Sequence, residues 1–153
     1  QWESANVVDG APIMSIVGEE RFKNLYPNGS LAREGVILSN GSDFTVNLTN
    51  ALEGITVAMT RKFPKNNKYY NDFKDVPALN LDEAATLKDS IMGWTINGAY
   101  QLQVNDITGS IELGKSAELV RLDVDIESVP VTDLSTLKIR ETVWKGKTVY
   151  LAE

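Results

Sequence analysis

The run Val36-Ile-Leu-Ser-Asn-Gly-Ser-Asp43-Phe-Thr-Val46 is the stretch of sequence that decides the predicted fold. Its first part, residues 36–40, is a short apolar run, which is typical of a strand buried in a parallel sheet. Gly41 and Ser42 mark the point where this strand gives way to a loop, and Asp43 follows at once. The run therefore predicts a buried parallel strand with a carboxylate at its carboxyl end.

Asp43 is the first candidate site residue, because barrel enzymes place catalytic groups at the carboxyl ends of their strands. The chain contains no histidine and no cysteine, so the usual nitrogen and sulfur ligands of a metal are missing beside this carboxylate. Together these observations predict that the chain carries one piece of a larger metalloenzyme's active site. The residues alone leave open a second interpretation, in which Asp43 caps the strand end or forms an Asx turn.

The composition predicts a globular domain with a sizeable core. The chain has 153 residues, of which 42% are hydrophobic and 24% are charged. A net charge of -6 argues against nucleic acid and against an anionic membrane surface as partners. The first residues, Gln1-Trp2-Glu3, show neither a methionine nor a signal peptide, which predicts a piece cut from a longer chain. The compartment is left unknown, with the cytoplasm favoured and a lost leader still compatible.

Helical patterns flank the decisive stretch on both sides. Residues 19–34 predict two short helices that are separated at Pro27-Asn-Gly29 and end at Gly35. Residues 51–62 predict a helix with Leu52, Ile55, Ala58 and Met59 on its apolar face.

The middle of the chain predicts a loop and then two further helices. Residues 63–76 are polar and aromatic without a period, which is typical of a long loop. Asn80 is the predicted N-cap of the next helix, which continues to Met92. A further helix is predicted over 95–103.

After residue 106 the pattern changes to strands. Alternating residues 119–125 predict a strand, and residues 132–137 predict a single turn. Residues 138–144 and 148–151 flank Lys145-Gly-Lys147, which predicts a β-hairpin.

Five motifs follow one another along the chain: Gly41-Ser-Asp-Phe-Thr-Val46, Ala58-Met-Thr-Arg61, Trp94-Thr-Ile-Asn-Gly-Ala-Tyr100, Gly109-Ser-Ile-Glu-Leu-Gly-Lys-Ser-Ala-Glu-Leu-Val120 and Thr142-Val-Trp-Lys-Gly-Lys-Thr-Val-Tyr150. In residue type and order they resemble the C-terminal part of an amidohydrolase-superfamily enzyme. The branch that they resemble most is that of N-substituted formamide deformylase-like proteins. The likeness covers almost the whole chain, and it is the ordered set that makes it specific.

This resemblance implies an α/β plus β fold. Residues 1–106 would be the C-terminal portion of a metal-dependent (β/α)8 barrel, and residues 107–153 the C-terminal half of a small β-sandwich. It implies a divalent metal, zinc favoured, bound in the intact enzyme by Asp43 and by histidines upstream. Asp43 would also carry the proton of the attacking water. The substrate would be a small molecule with an amide, formamide or cyclic amide C–N bond. Thr45 replaces a proline of the family motif, which leaves the exact substrate open.

Arg61 is the second candidate site residue. Its guanidinium could bind a substrate carboxylate through two parallel hydrogen bonds. It could equally end its helix favourably and form a surface salt bridge. Trp94, Asn97 and Tyr100 are spaced three apart, which predicts core packing with Asn97 as a buried hydrogen-bonding residue.

Two further groups have an ordinary and a functional interpretation. The aromatic residues Tyr69, Tyr70 and Phe73 predict loop packing, with a pocket lining as the alternative. Asp123 and Asp125 alternate with apolar residues, which predicts a solvated strand face rather than a calcium site.

The isolated chain has its own expected behaviour. Part of a barrel would expose strand edges and apolar faces, so we expect self-association. One carboxylate does not make a tight zinc site, so we expect the chain alone to be inactive and to bind no metal tightly. The alternative class of function is a complete, non-catalytic binding module in which Asp43 is only a turn residue.

Overall fold

A computed structural model describes residues 15–45 and 49–153, so residues 1–14 and 46–48 lie outside the described part. The helices with defined bounds are α1 (Glu19–Phe22), α2 (Asn28–Arg33), α3 (Ala51–Thr60), α4 (Tyr70–Phe73), α5 (Leu87–Trp94) and α6 (Ile96–Gln101). Shorter 3-10 helices lie at Leu81–Glu83, Ile126–Ser128 and Val131–Thr136. The strands are β1 (Leu119–Leu122), β2 (Ile139–Trp144) and β3 (Lys147–Leu151).

The two short helices predicted within residues 19–34 are confirmed as α1 and α2. Gly35, at φ 77°, follows the end of α2. Its amide donates to the carbonyl of Ala32, and the amide of Val36 donates to the carbonyl of Leu31. This pair of bonds is a Schellman motif, which needs a left-handed residue at the position of Gly35. The predicted helix end is therefore correct.

Helix α3 is confirmed, and more of its surface is buried than the predicted apolar face. The side chain of Asn50 caps its first turn by accepting from the Leu52 amide at 3.0 Å. Leu52, Ile55 and Ala58 are buried as predicted, and Met59 is partly buried against the core. The helix packs against the 3-10 helix at Val131–Thr136 and also against α5, so residues between the predicted positions are buried too.

The helix cap predicted at Asn80 is wrong. Helix α5 begins after Thr86, whose hydroxyl accepts from the Asp89 amide at 3.1 Å. Asn80 instead takes a left-handed conformation, and its amide group donates to the carbonyls of Phe22 and Lys23 at 2.9 and 2.7 Å. Asn80 thus satisfies carbonyls at the end of α1, which are distant in sequence.

The predicted buried parallel strand over 36–40 is also wrong. Within the described ranges these residues pair with no strand, and Val36 and Ile37 are exposed. A strand needs a neighbour for its backbone hydrogen bonds. Among the described residues, a helix is the hydrogen-bond partner of this backbone instead of a strand: the Asn40 amide donates to the carbonyl of Gly93 in α5 at 3.0 Å.

The C-terminal strands form a three-stranded antiparallel sheet in the order β1-β2-β3. The predicted hairpin is confirmed between β2 and β3, with Trp144 opposite Lys147. Lys145 and Gly146 have φ of 49° and 76°, and two left-handed residues are what a two-residue hairpin of type I′ requires. The single turn predicted near 132–137 is confirmed as a 3-10 helix.

The core joins the two regions that the sequence divides at residue 106. Leu52 and Ile55 of α3 pack with Leu134 of the last 3-10 helix. Residues from α5 and from the C-terminal region surround them, together with a further residue of α3: Met59, Leu87, Ile91, Trp94, Leu122, Ile126, Val129, Val131 and Leu137. The predicted domain boundary stays a prediction, and the packing runs across it. None of the helices found in the described ranges has the length and apolar character of a membrane span.

Candidate functional site around Asp43 and Arg61

Asp43 lies in an exposed turn that follows residues 36–42, a segment that belongs to no helix or strand. Its φ is 51°, a left-handed conformation in which aspartate is enriched several-fold over most residues. Residues 36–40 form no strand, so the structure supports the sequence only in placing this carboxylate in a turn. Its metal-binding and proton-transfer roles stay predictions.

Four hydrogen bonds hold the segment 36–42 against the pair of helices α5 and α6, of which the longest, at 3.5 Å, runs from the Asn40 side chain to the Ser90 carbonyl. The Asn97 side-chain amide donates to the Leu38 carbonyl at 2.8 Å, and the Asn40 amide donates to the Gly93 carbonyl. The hydroxyl of Ser39 hydrogen-bonds the side chain of Gln101. The helices therefore fix the backbone that leads into Asp43.

Gly93 provides the space for this docking. A Cβ atom at Gly93 would lie 2.5 Å from the amide nitrogen of the Asn40 side chain. Gly98, in α6, has ordinary room, since a Cβ atom there would lie 3.6 Å from the Gly93 carbonyl oxygen. Of the two glycines, Gly93 is therefore the one that the contact with Asn40 requires.

A groove of about 300 Å³ runs along the same segment. Its walls combine residues 35–40 with residues of α2, α3 and the helix pair, and its polar groups include Asn40, Asp89, Ser90 and Asn97. The hydroxyl of Ser90 is buried and has no hydrogen-bond partner among the described residues. Neither Asp43 nor Arg61 lines this groove.

Arg61 is fully buried at the end of α3, with no exposed surface. Among the described residues, its guanidinium donates to the backbone carbonyls of Leu79 at 3.0 Å, Leu25 at 3.2 Å and Tyr26 at 3.3 Å. Burial lowers the pKa of Arg61, which the nearby charge of Glu83 opposes. This geometry supports the helix-end alternative in a buried form, and the substrate-binding role stays a prediction.

A hydrogen-bonded group around the carboxylate of Glu83, which the sequence did not indicate, lies beside α2. Glu83 accepts from the Ser30 amide at 2.7 Å and from the Ser30 hydroxyl, and Arg33 lies 4.0 Å away. The hydrogen bond from the Ser30 hydroxyl, and then that from its amide, lower the pKa of Glu83. Ser30 and Glu83 are 53 residues apart, so no local pattern could have paired them.

Among the described residues, no three carboxylate, imidazole or thiol groups lie close enough together to hold a metal ion. Asp43 therefore has no ready-made set of metal ligands around it within this part of the chain. A tight site built on it needs further ligands.

The predicted Trp94, Asn97 and Tyr100 stripe is partly confirmed. Trp94 packs against the core and Asn97 makes a hydrogen bond, but Asn97 is half-buried rather than buried and Tyr100 is 56% exposed. Because α6 is only six residues long and ends near the surface, its last turn has little core to cover.

The aromatic group combines its two interpretations. The rings of Tyr69 and Phe73 lie 5.6 and 5.5 Å from that of buried Phe63, which is ordinary packing, although Phe73 belongs to helix α4 rather than to a loop. Tyr70 lines a groove of about 160 Å³, as the alternative interpretation expects. Asp123 and Asp125 are exposed, and each accepts from a backbone amide, that of Lys138 and of Glu127 respectively. They act as turn and cap residues on a solvated face.

Comparison with known proteins places these observations in a family. The sequence pattern of the Amidohydrolase family matches residues 5–150. YtcJ of Bacillus subtilis, which is named a putative amidohydrolase, is 25% identical over 138 residues, covering 90% of this chain and 25% of YtcJ.

Two other curated relatives match shorter parts. A 5-methylthioadenosine/S-adenosylhomocysteine deaminase of Thermoanaerobacter pseudethanolicus is 36% identical over 81 residues, which are 48% of this chain and 19% of the deaminase. An imidazolonepropionase of Picrophilus torridus is 50% identical over 40 residues, 26% of this chain and 10% of that enzyme. The matched region spans a quarter or less of each of these three relatives.

A solved amidohydrolase from Thermotoga maritima aligns with a TM-score of 0.38 and 21% identity, covering 68% of this chain and 36% of that structure.

Proposed function

Because the chain belongs to the amidohydrolase family, we propose that it is part of a metal-dependent hydrolase that cleaves a C–N bond in an amide, formamide or cyclic amide. The observation that carries this proposal is the family match along residues 5–150, together with the five motifs in their order. The branch of N-substituted formamide deformylase-like proteins, and a barrel portion over 1–106 with a sandwich portion over 107–153, are the finer forms of the proposal.

The proposal gives Asp43 two tasks. It would bind a divalent metal, zinc favoured, together with ligands that the described residues do not supply. A metal of this kind polarises the scissile carbonyl and makes water more acidic. The exposed carboxylate of Asp43 would accept the proton of the attacking water and pass it to the leaving nitrogen.

The arrangement around Asp43 supports this role because the residue is accessible while the backbone that leads into it is held. Asp43 stands in an exposed turn, and the residues before it dock on α5 and α6. A group that must meet a substrate needs both properties, since small errors of position cost large factors in rate.

The isolated 153-residue chain is proposed to be inactive and to bind zinc only weakly, because a single carboxylate does not complete a zinc site. The isolated chain is also proposed to self-associate, because apolar residues of the segment 36–42 and of β3 are exposed to solvent. They include Val36, Ile37, Val149 and Leu151.

The test is the substitution Asp43→Asn in the full-length protein, assayed against a panel of amides, N-substituted formamides and cyclic amides. Asparagine keeps the size of the side chain and removes its charge and basicity. We expect kcat to fall by at least about 100-fold, with a much smaller change in KM, since the loss is felt in the transition state. A variant that retains most of its kcat would refute the role of Asp43. A full-length protein without hydrolase activity on the whole panel would favour the non-catalytic binding module.

A further inference from the structure

We propose that Asn97 is a positioning residue that sets the place of Asp43 by holding the segment 36–42 to helix α6. This inference rests on the proposed function, because the position of Asp43 affects the reaction only if Asp43 takes part in it. Asn97 itself lies outside the reacting groups and acts through the backbone of Leu38.

The first support is the way the segment is held. Residues 36–42 belong to no helix or strand of their own, and hydrogen bonds join them to helices α5 and α6. The 2.8 Å bond from the Asn97 side chain to the Leu38 carbonyl joins residues that are 59 positions apart.

The second support is the way the helices are shaped to receive the segment. Asn40 lies so close to Gly93 that a Cβ atom there would overlap its side chain, and its amide bonds the Gly93 carbonyl. Asn97 lies further along the helix pair and bonds Leu38, which comes earlier in the segment. These two hydrogen bonds hold the backbone at Leu38 and at Asn40, and they thereby set the direction in which the chain runs toward Asp43.

The third support is the choice of residue. Asparagine is a poorer helix former than alanine, and Asn97 is the second residue of the six-residue helix α6. Its amide group is instead used for a long-range bond to the backbone. A residue that served helix α6 alone would not need that group.

The first measurement is hydrogen exchange at the Asn40 amide of the full-length protein, compared between the natural chain and the variants Asn97→Asp and Asn97→Ala. Aspartate has the same shape but no N–H donor, and alanine raises helix propensity, so that the fold of α6 is kept. We expect exchange at Asn40 to accelerate by about tenfold in both variants, the factor that corresponds to one lost hydrogen bond.

The second measurement is steady-state kinetics on the same variants. We expect kcat to fall by about 10- to 100-fold through the displaced Asp43, while KM stays within about twofold. Asn105→Asp and Asn105→Ala are the matched controls, because the side chain of Asn105 hydrogen-bonds its sequence neighbour Asp106, at 3.3 Å, rather than the segment. Both controls should leave Asn40 exchange and kcat unchanged.

The outcomes separate the two proposals. Unchanged exchange at Asn40 in the Asn97 variants, or faster exchange with unchanged kcat, would overturn the positioning role. A full-length Asp43→Asn protein that keeps its kcat would instead refute the proposed function, whereas the exchange result would still show whether Asn97 holds the segment.

Discussion

The substitution Arg61→Ala tests whether this guanidinium serves the fold or a ligand. In the structure, Arg61 has no exposed surface and donates to the carbonyls of Leu25, Tyr26 and Leu79. A hydrogen bond from a charged donor contributes about 1.5–3 kcal/mol, so three of them represent a gross stabilisation of about 4.5–9 kcal/mol. The desolvation of the buried charge opposes this gain. Arg61→Ala leaves these carbonyls without their donor, at about 1–3 kcal/mol each, and it also removes the desolvation cost of the charge. We therefore expect a net loss of about 3–5 kcal/mol of unfolding free energy.

The backbone of Arg61 does not alter this figure. Its φ of 57° is left-handed, but arginine and alanine both carry a Cβ atom, so the strain is the same in the two proteins. Arg61→Lys should fall between the natural chain and Arg61→Ala, because a single ammonium cannot reach the three carbonyls in the fixed geometry of a guanidinium.

The assay is urea denaturation of the protein, with circular dichroism as the readout of unfolding. Arg121→Ala is the matched control, since the side chain of Arg121 is 61% exposed and forms a surface ion pair with Glu141. That control should change the unfolding free energy by less than about 1 kcal/mol. A loss below about 1 kcal/mol for Arg61→Ala, accompanied by a raised KM in the full-length protein, would refute the structural interpretation and favour substrate binding.

The contacts of Glu83 and Gly93 give two further predictions. The hydrogen bonds from Ser30 lower the pKa of Glu83 below its usual value, so the stability that they add is present above the unfolded pKa and is lost as pH falls through the folded pKa. Urea titrations should therefore show the natural chain exceeding Glu83→Gln in stability near neutral pH, with the difference shrinking in acid; a difference that stays constant with pH would contradict this. Gly93→Ala should lose up to about 2 kcal/mol in thermal unfolding, because overlap with Asn40 costs about 1–3 kcal/mol and the higher helix propensity of alanine offsets about 1 kcal/mol. Gly98→Ala, in the adjacent helix with ordinary room, should instead gain up to about 1 kcal/mol; equal effects of the two substitutions would refute the docking of Asn40.

The sequence by itself determined the elements whose signals are local. The hairpin of β2 and β3 follows from Lys145-Gly146, which supply the two left-handed residues of its turn. The end of α2 follows from Gly35, and the apolar spacing of residues 51–62 predicted α3. The ordered motifs also pointed to the family that the comparison then matched along residues 5–150.

The tertiary structure alone decided where the long-range partners lie. Asn80 fitted an N-cap by its local sequence, yet it bonds carbonyls at the end of α1 that are 57 and 58 residues away. The apolar run 36–40 fitted a buried strand, yet it docks on a helix pair because the described chain offers it no strand to pair with.

The site residues show the same division. The spacing of Asn97 indicated a hydrogen-bonding residue, but only the fold showed that its partner is the carbonyl of Leu38. Arg61 had two local interpretations, and the fold buried it against carbonyls 18 to 36 positions away. Residue type and spacing encode which groups can donate, accept or turn the chain, whereas the identity of a distant partner depends on how all the elements pack together.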